Sequence, residues 1–169
     1  MVRVVEVRRA VASDAEAIAN VHVATWRETY SDVMPDRFFG GEVLEKRRRW
    51  WASLLAADPV PGEVVVAERD GEVVGFAFAG SSQHPEAARG VDPVRELHLF
   101  SIYLLAAEHG TGTGHALLEA TIGDEPAQLW VARMNTRARS FYERHGFHDD
   151  GHQIEHPNIE GLTEIRMIR

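Results

Sequence analysis

The chain reads as a mixed α/β domain with a mostly antiparallel sheet of six to seven strands and about four helices. Three observations lead there. Strand-period and helix-period segments follow the order β-α-α-β-β-β-α-β-α-β-β. Asp70-Gly71 sits between two apolar runs as a two-residue hairpin turn. A glycine-rich run from His109 to His115 joins an apolar strand to a short helix that another strand follows, which calls for one parallel crossover.

In chain order, Val2 to Val7 reads as the first strand. Ser13 with Glu16 forms a capping-box pattern opening a helix to about Glu28, with Ala17, Ile18 and Val21 on its apolar side. Met34-Pro35-Asp36 breaks the chain, and Pro35 suits the first turn of a short helix. A longer helix covers about Val43 to Ala56 and stops before Asp58-Pro59. Glu63 to Arg69 and Glu72 to Gly80 form the hairpin, and residues 81–93 form a loop rich in Ser, Pro, Gly and His. The strand from Arg95 to Leu104, the helix from Gly114 to Ile122 and the strand from Gln128 to Ala132 follow. A helix from Thr136 to His145 has Asn135 as N-cap and Gly146 as its stop. Phe147 to Gln153 and Leu162 to Ile168 close the sheet as a late hairpin.

Composition narrows the function. A length of 169 residues suits a single domain over 1–169 with a sizeable core. The absence of cysteine rules out disulfides and a cysteine acyl-enzyme. A formal net charge of −8 argues against nucleic acid as a partner and suits a cationic amine drawn in by the field. No apolar stretch is long enough to span a bilayer, and Met1 to Glu6 lacks a signal-peptide core, so no membrane role and a cytoplasmic location are expected.

The run His109-Gly110-Thr111-Gly112-Thr113-Gly114-His115 exposes backbone N–H groups at the positive end of a helix, a cradle for an anion such as a pyrophosphate. A P-loop would need a lysine after its last glycine, and Lys46 is the only lysine in the chain. A dinucleotide fingerprint fails because His115 or Leu117 stands where its last glycine belongs. The pyrophosphate arm of coenzyme A is the third candidate.

A second segment bears on that choice. Asn135, Ala138, Phe141, Tyr142, Gly146 and Phe147 match the pattern N-x-x-A-x-x-F-Y-x-x-x-G-F. Together with the glycine loop, which matches Q/R-x-x-G-x-G/A except for His109 at the first position, the chain resembles the GNAT family of N-acetyltransferases. The resemblance implies a sheet whose central strands splay to admit pantetheine, with acetyl-CoA as cosubstrate and no metal. It implies that Ile102, Tyr103 and Leu104 meet the thioester and pantetheine, that residues 109–115 hold the pyrophosphate, and that Asn135 bonds the cofactor arm. Tyr142 stands where the family places a tyrosine near the cofactor sulfur, often as general acid. His98 falls where many relatives carry a glutamate base, and Trp130 stands where others carry theirs. From the residues themselves, His98 is a workable base, and Glu96, two positions earlier on the same face, either orients it or acts through a water.

Trp26 and Tyr30 end the first long helix, which in the family walls the acceptor site; aromatic rings beside Glu28 and Asp32 suit a cationic amine. Trp50 and Trp51 read as packing residues, and Arg47-Arg48-Arg49 as a solvated face. His148, His152 and His156 recur every fourth residue on strand and loop, where the spacing scatters the rings and argues against a metal site. The expected activity is direct transfer of acetyl from acetyl-CoA to the primary amine of a small molecule or peptide. Two rivals stand beside it: a non-catalytic acyl-CoA-binding sensor, and a transferase for longer acyl chains. Edge strands also permit a homodimer.

Overall fold

The computed structural model describes residues 5–169, so Val2 to Val4 of the first expected strand lie outside the described residues. The strands are β1 (Glu6–Arg9), β2 (Glu63–Arg69), β3 (Glu72–Ser81), β4 (Leu97–Leu104), β5 (Ala127–Ala132), β6 (His148–Glu155) and β7 (Thr163–Ile168). The helices are α1 (Ala15–Tyr30), α2 (Gly41–Ala56), α3 (Thr113–Thr121) and α4 (Thr136–Arg144). The strand order β1-β2-β3-β4-β5-β7-β6 makes a seven-stranded mixed sheet, as the sequence leads one to expect. β4 and β5 form the parallel pair, and β1/β2, β5/β7 and β6/β7 are antiparallel. The described residues fall into two compact units, one reaching to Phe78 together with Ser101–Gly123, the other Ala79–Phe100 together with Asp124–Arg169. Among the described residues no helix is long and apolar enough to cross a membrane.

In the first unit the β2–β3 turn places Asp70 at φ 54° and Gly71 at φ 82°, the two left-handed residues that a type I′ hairpin requires. The capping box expected of Ser13 and Glu16 does not form. Asp14 takes over that corner: its carboxylate accepts from Val11 N at 2.8 Å and from both Nη atoms of Arg8 at 2.8 and 3.0 Å. A charged acceptor paired with arginine outcompetes a serine hydroxyl, and the Arg8 guanidinium holds the Asp14 carboxyl below its ordinary pKa. Helices α1 and α2 are antiparallel. Arg27 near the end of α1 donates to Phe39 O ahead of α2 at 2.8 Å, while Arg48 in α2 meets Glu16 near the start of α1 at 3.2 Å. Between these helices and the sheet, Trp51 is buried edge-on against Phe76 and Phe78, with centroids at 5.1 and 5.9 Å.

In the second unit Arg166 of β7, only 2% exposed, straps the segment before β4. Its Nε donates to Asp150 Oδ2 at 2.6 Å and its Nη1 to Asp92 O at 2.8 Å. Gln128 of β5 adds a second strap, its Oε1 accepting from Val94 N and Arg95 N at 2.8 and 3.1 Å. Arg89 pairs with Glu164 at 2.7 Å. The segment read as an open loop over 81–93 is therefore tied down, with a single 3-10 turn at Pro85–Ala87 inside it. Helix α4 is capped as expected: Asn135 Oδ1 accepts from Ala138 N at 3.1 Å, and Phe147 N closes back onto Tyr142 O at 3.0 Å beyond the helix end.

Candidate active site

The glycine loop is built in the first unit. β4 ends as Leu105 N bonds Val74 O at 3.0 Å, and one 3-10 turn, Ala106–Glu108, follows. Two side chains fix that turn. Glu28 of α1 accepts from Ala106 N at 2.9 Å, and the buried Glu108 carboxylate receives a fork from Arg69 Nε and Nη2, both at 2.7 Å. The Thr111 hydroxyl then donates to Glu108 O at 2.7 Å and lies 2.8 Å from the buried Thr113 Oγ1. Gly112 caps α3 at φ 88°, and no atom lies within 4 Å of where a Cβ would stand. Thr113, Gly114 and His115 form the first turn of α3, whose N–H groups have no carbonyl four residues back within the helix. His109 turns its Nε2 onto Leu104 O at 3.1 Å, and Gly110 is also at positive φ, 77°. Arg69 and Glu108 escaped sequence reasoning because they lie 39 residues apart and belong to no local motif, and Glu28, read as a carboxylate beside the acceptor amine, accepts instead from a backbone N–H 78 residues on.

Along the second half of β4, Ile102 and Leu104 pack on a core of Val65, Ala67, Ala77 and Leu117. Gly75 lets that strand approach closely, since a Cβ there would stand 2.6 Å from Leu104 Cδ1 and 3.0 Å from Tyr103 O. Tyr103 packs its ring on His22 of α1 at 4.9 Å, and the His22 Nδ1 accepts from Trp51 Nε1 at 3.2 Å. One turn along α1, Trp26 stacks on the buried Tyr30 at 5.0 Å.

The second unit carries the other candidates. His98 is 2% exposed, and its Nδ1 lies 3.3 Å from Gln128 Nε2. Burial, reinforced by Arg89 and His84, lowers its pKa to about 3, so the ring is neutral at ordinary pH. Glu96 is exposed just ahead of β4, and among the described residues no hydrogen bond joins it to His98. The expectation that Glu96 orients His98 therefore has no contact behind it: the imidazole turns inward to Gln128 instead. Tyr142 of α4 is 7% exposed, its ring between Phe141 and Phe147 at 5.5 and 5.8 Å.

Residues 61–149, which contain both the glycine loop and the Asn135–Phe147 segment, match the profile described as "Acetyltransferase (GNAT) domain". The chain belongs to the GNAT family. An uncharacterized N-acetyltransferase of Archaeoglobus fulgidus is 31% identical to this GNAT chain over 143 residues, 81% of this chain and 88% of that protein. A probable N-acetyltransferase of Mycobacterium tuberculosis is 22% identical over 165 residues, 94% of this chain and 88% of that one. The crystal structure of PaiA N-acetyltransferase from Thermoplasma acidophilum, in complex with coenzyme A, matches the GNAT fold here with a TM-score of 0.69. It covers 96% of this chain and 98% of that one at 16% identity, a likeness of fold.

Proposed function

We propose that this GNAT chain transfers an acetyl group from acetyl-CoA directly to a primary amine. The observation that carries the reading is the rigid glycine loop, with Gly110 and Gly112 at positive φ and open space where their Cβ atoms would be. Such a loop suits the pyrophosphate of coenzyme A, because backbone N–H donors and the positive end of α3 face the anion without side-chain cover. Acetyl-CoA supplies the activated acyl group and a thiolate leaving group. Tyr142 donates a proton to that thiolate, and the N–H groups of Ile102, Tyr103 and Leu104 hold the thioester and pantetheine, with Asn135 on the cofactor arm. Exposed Glu96 takes the proton of the attacking amine through a water. Neutral, buried His98 serves to hold the start of β4 against β5 at the rungs Leu97↔Ala127 and His98↔Gln128.

The test is calorimetric titration with acetyl-CoA coupled to a free-thiol assay over a panel of amines. Binding with thiol release on an amine supports the transferase. Binding with no release on any amine favours a sensor, and no binding overturns the coenzyme A reading. Tyr142→Phe is expected to lower kcat about 100-fold with little change in acetyl-CoA affinity; unchanged kcat removes Tyr142 from the acid role. Glu108→Gln loosens the Arg69 fork that fixes the loop, so the KM for acetyl-CoA is expected to rise several-fold while kcat stays close to wild type. An unaltered KM shows that the loop holds its shape without the fork.

A further inference from the structure

In the first unit one polar ring sits in an aromatic box. His22 of α1 has the ring of Tyr103 at 4.9 Å, that of Phe76 at 5.6 Å and that of Trp51 at 6.2 Å. Its Nδ1 accepts from Trp51 Nε1 at 3.2 Å, which fixes the proton of the neutral imidazole on Nε2. His22 is 8% exposed, and its Nε2–H has no hydrogen-bond partner among the described residues. A donor buried this far without an acceptor is costly unless a ligand supplies one.

The donor is not sealed in. The Trp26 indole nitrogen is unpartnered and closed to solvent, whereas His22 Nε2 is unpartnered and keeps some access. Of the three rings around it, Trp51 and Phe76 are 1% and 0% exposed while Tyr103 is half-buried, so the opening lies along Tyr103 on β4. The chemistry of the box then narrows the ligand group. Burial, with Arg47 adding to it, holds the imidazole neutral. One neutral donor among aromatic rings does not offset a full negative charge, which disfavours a phosphate or a carboxylate. Nor does an N–H donor suit the attacking amine, whose lone pair has to stay free for the acyl carbon. An uncharged carbonyl oxygen is what remains. Under the proposed function the N–H groups of Ile102, Tyr103 and Leu104 hold the pantetheine arm, which carries amide carbonyls and ends in the thioester carbonyl. We infer that His22 is a further cofactor-binding residue, its Nε2–H donating to a carbonyl of the pantetheine–acetyl arm beside Tyr103. Trp51 is the positioning residue behind it, because its indole N–H holds the tautomer that can donate.

This inference rests on the acetyl-CoA reading, and the experiment separates the two. The ring nitrogens of His22 are followed by histidine-selective nitrogen NMR in the intact protein. Separate samples receive coenzyme A, acetyl-CoA, or phosphoadenosine diphosphate, which is coenzyme A without its pantetheine arm. The free protein is expected to show the Nε2–H tautomer. An arm-bearing ligand is expected to shift Nε2 and slow exchange of its proton, and the nucleotide alone to leave both unmoved. A shift with coenzyme A assigns an amide carbonyl, and a shift that needs acetyl-CoA assigns the thioester. Calorimetric titration of variants gives a second measure. His22→Phe keeps a ring and loses the donor, so affinity for the ligand that moved Nε2 is expected to fall about three- to tenfold, with none lost for the nucleotide. A purely structural role lowers both alike. His22→Gln, whose amide can accept from Trp51 and donate onward, is expected to recover part of the loss. The inference is overturned if the nucleotide alone moves Nε2, if no arm-bearing ligand moves it, or if His22→Phe weakens both kinds of ligand equally. The NMR measurement uses wild type, so it decides the matter even if His22→Phe does not fold. Binding of none of the three ligands defeats the coenzyme A reading, and this inference with it.

Discussion

Replacing Gly112 by glutamate is expected to abolish acetyl-CoA binding. At φ 88° the backbone is left-handed, which costs an L-residue about 1–2 kcal/mol. The larger effect is electrostatic. The new Cβ meets no atom within 4 Å, so the side chain enters the open space over the loop and sets a carboxylate where the pyrophosphate is to lie. An acidic group at a helix N-terminus favours α3 by about 0.3–1 kcal/mol, so it offsets part of the strain and the fold survives. Calorimetric titration is expected to show a loss of at least about 100-fold in affinity, about 3 kcal/mol. Gly112→Ala carries the strain without the charge and is expected to lose much less. Glutamate and alanine variants that bind equally well would show that the anion does not sit over Gly112.

The second large effect is acid destabilisation. His22 and His98 are both buried and both held neutral, His22 by burial with Arg47 adding to it, His98 by burial with Arg89 and His84 adding to it. Their folded pKa values lie below the unfolded value, so between those limits the unfolded chain binds more protons and stability falls as pH falls. For His98 the window runs from about 6.5 down to about 3. At pH 5 His98 costs about 2 kcal/mol relative to pH 7, a large share of the stability of an ordinary domain, and His22 adds a loss in the same direction. Urea melts at pH 7 and pH 5 measure this directly. His98→Gln, which keeps a polar group beside Gln128, is expected to reduce the loss between pH 7 and pH 5 by about 2 kcal/mol. A variant as acid-sensitive as wild type would show that His98 is not held neutral in the fold. Asp14 and Asp150, whose pKa values are lowered, add a further loss at more acidic pH.

The elements were legible in the sequence wherever the signal is local. Asp70-Gly71 dictates its turn, Asn135 and Gly146 bracket α4, and the glycine loop announces the start of α3. The order of helices and strands also carries the single parallel pair. What escaped was set by side-chain partners outside any local motif, most of them far apart in the chain. Ser13 loses the capping role because Arg8 on a neighbouring strand recruits Asp14. His98 looks like a base in one dimension, but it faces Gln128, thirty residues on, in a buried layer. The Arg47-Arg48-Arg49 run reads as uniform, yet helical rotation hands two of its members to glutamates and leaves the third half-buried with neither an ion pair nor a hydrogen bond among the described residues. Composition reports none of this, because a guanidinium's fate depends on the face it occupies.

The fork between Arg69 and Glu108 has a bearing on how the chain can change over time. Arg69 is the last residue of β2, next to a hairpin tip that would ordinarily tolerate insertions and sequence drift. Here the tip's neighbour is anchored to the turn that shapes the glycine loop, so lengthening or shifting the hairpin displaces the loop as well. Under the proposed reading of the glycine loop, variation at this surface turn is constrained by cofactor recognition, although none of its residues needs to touch the cofactor.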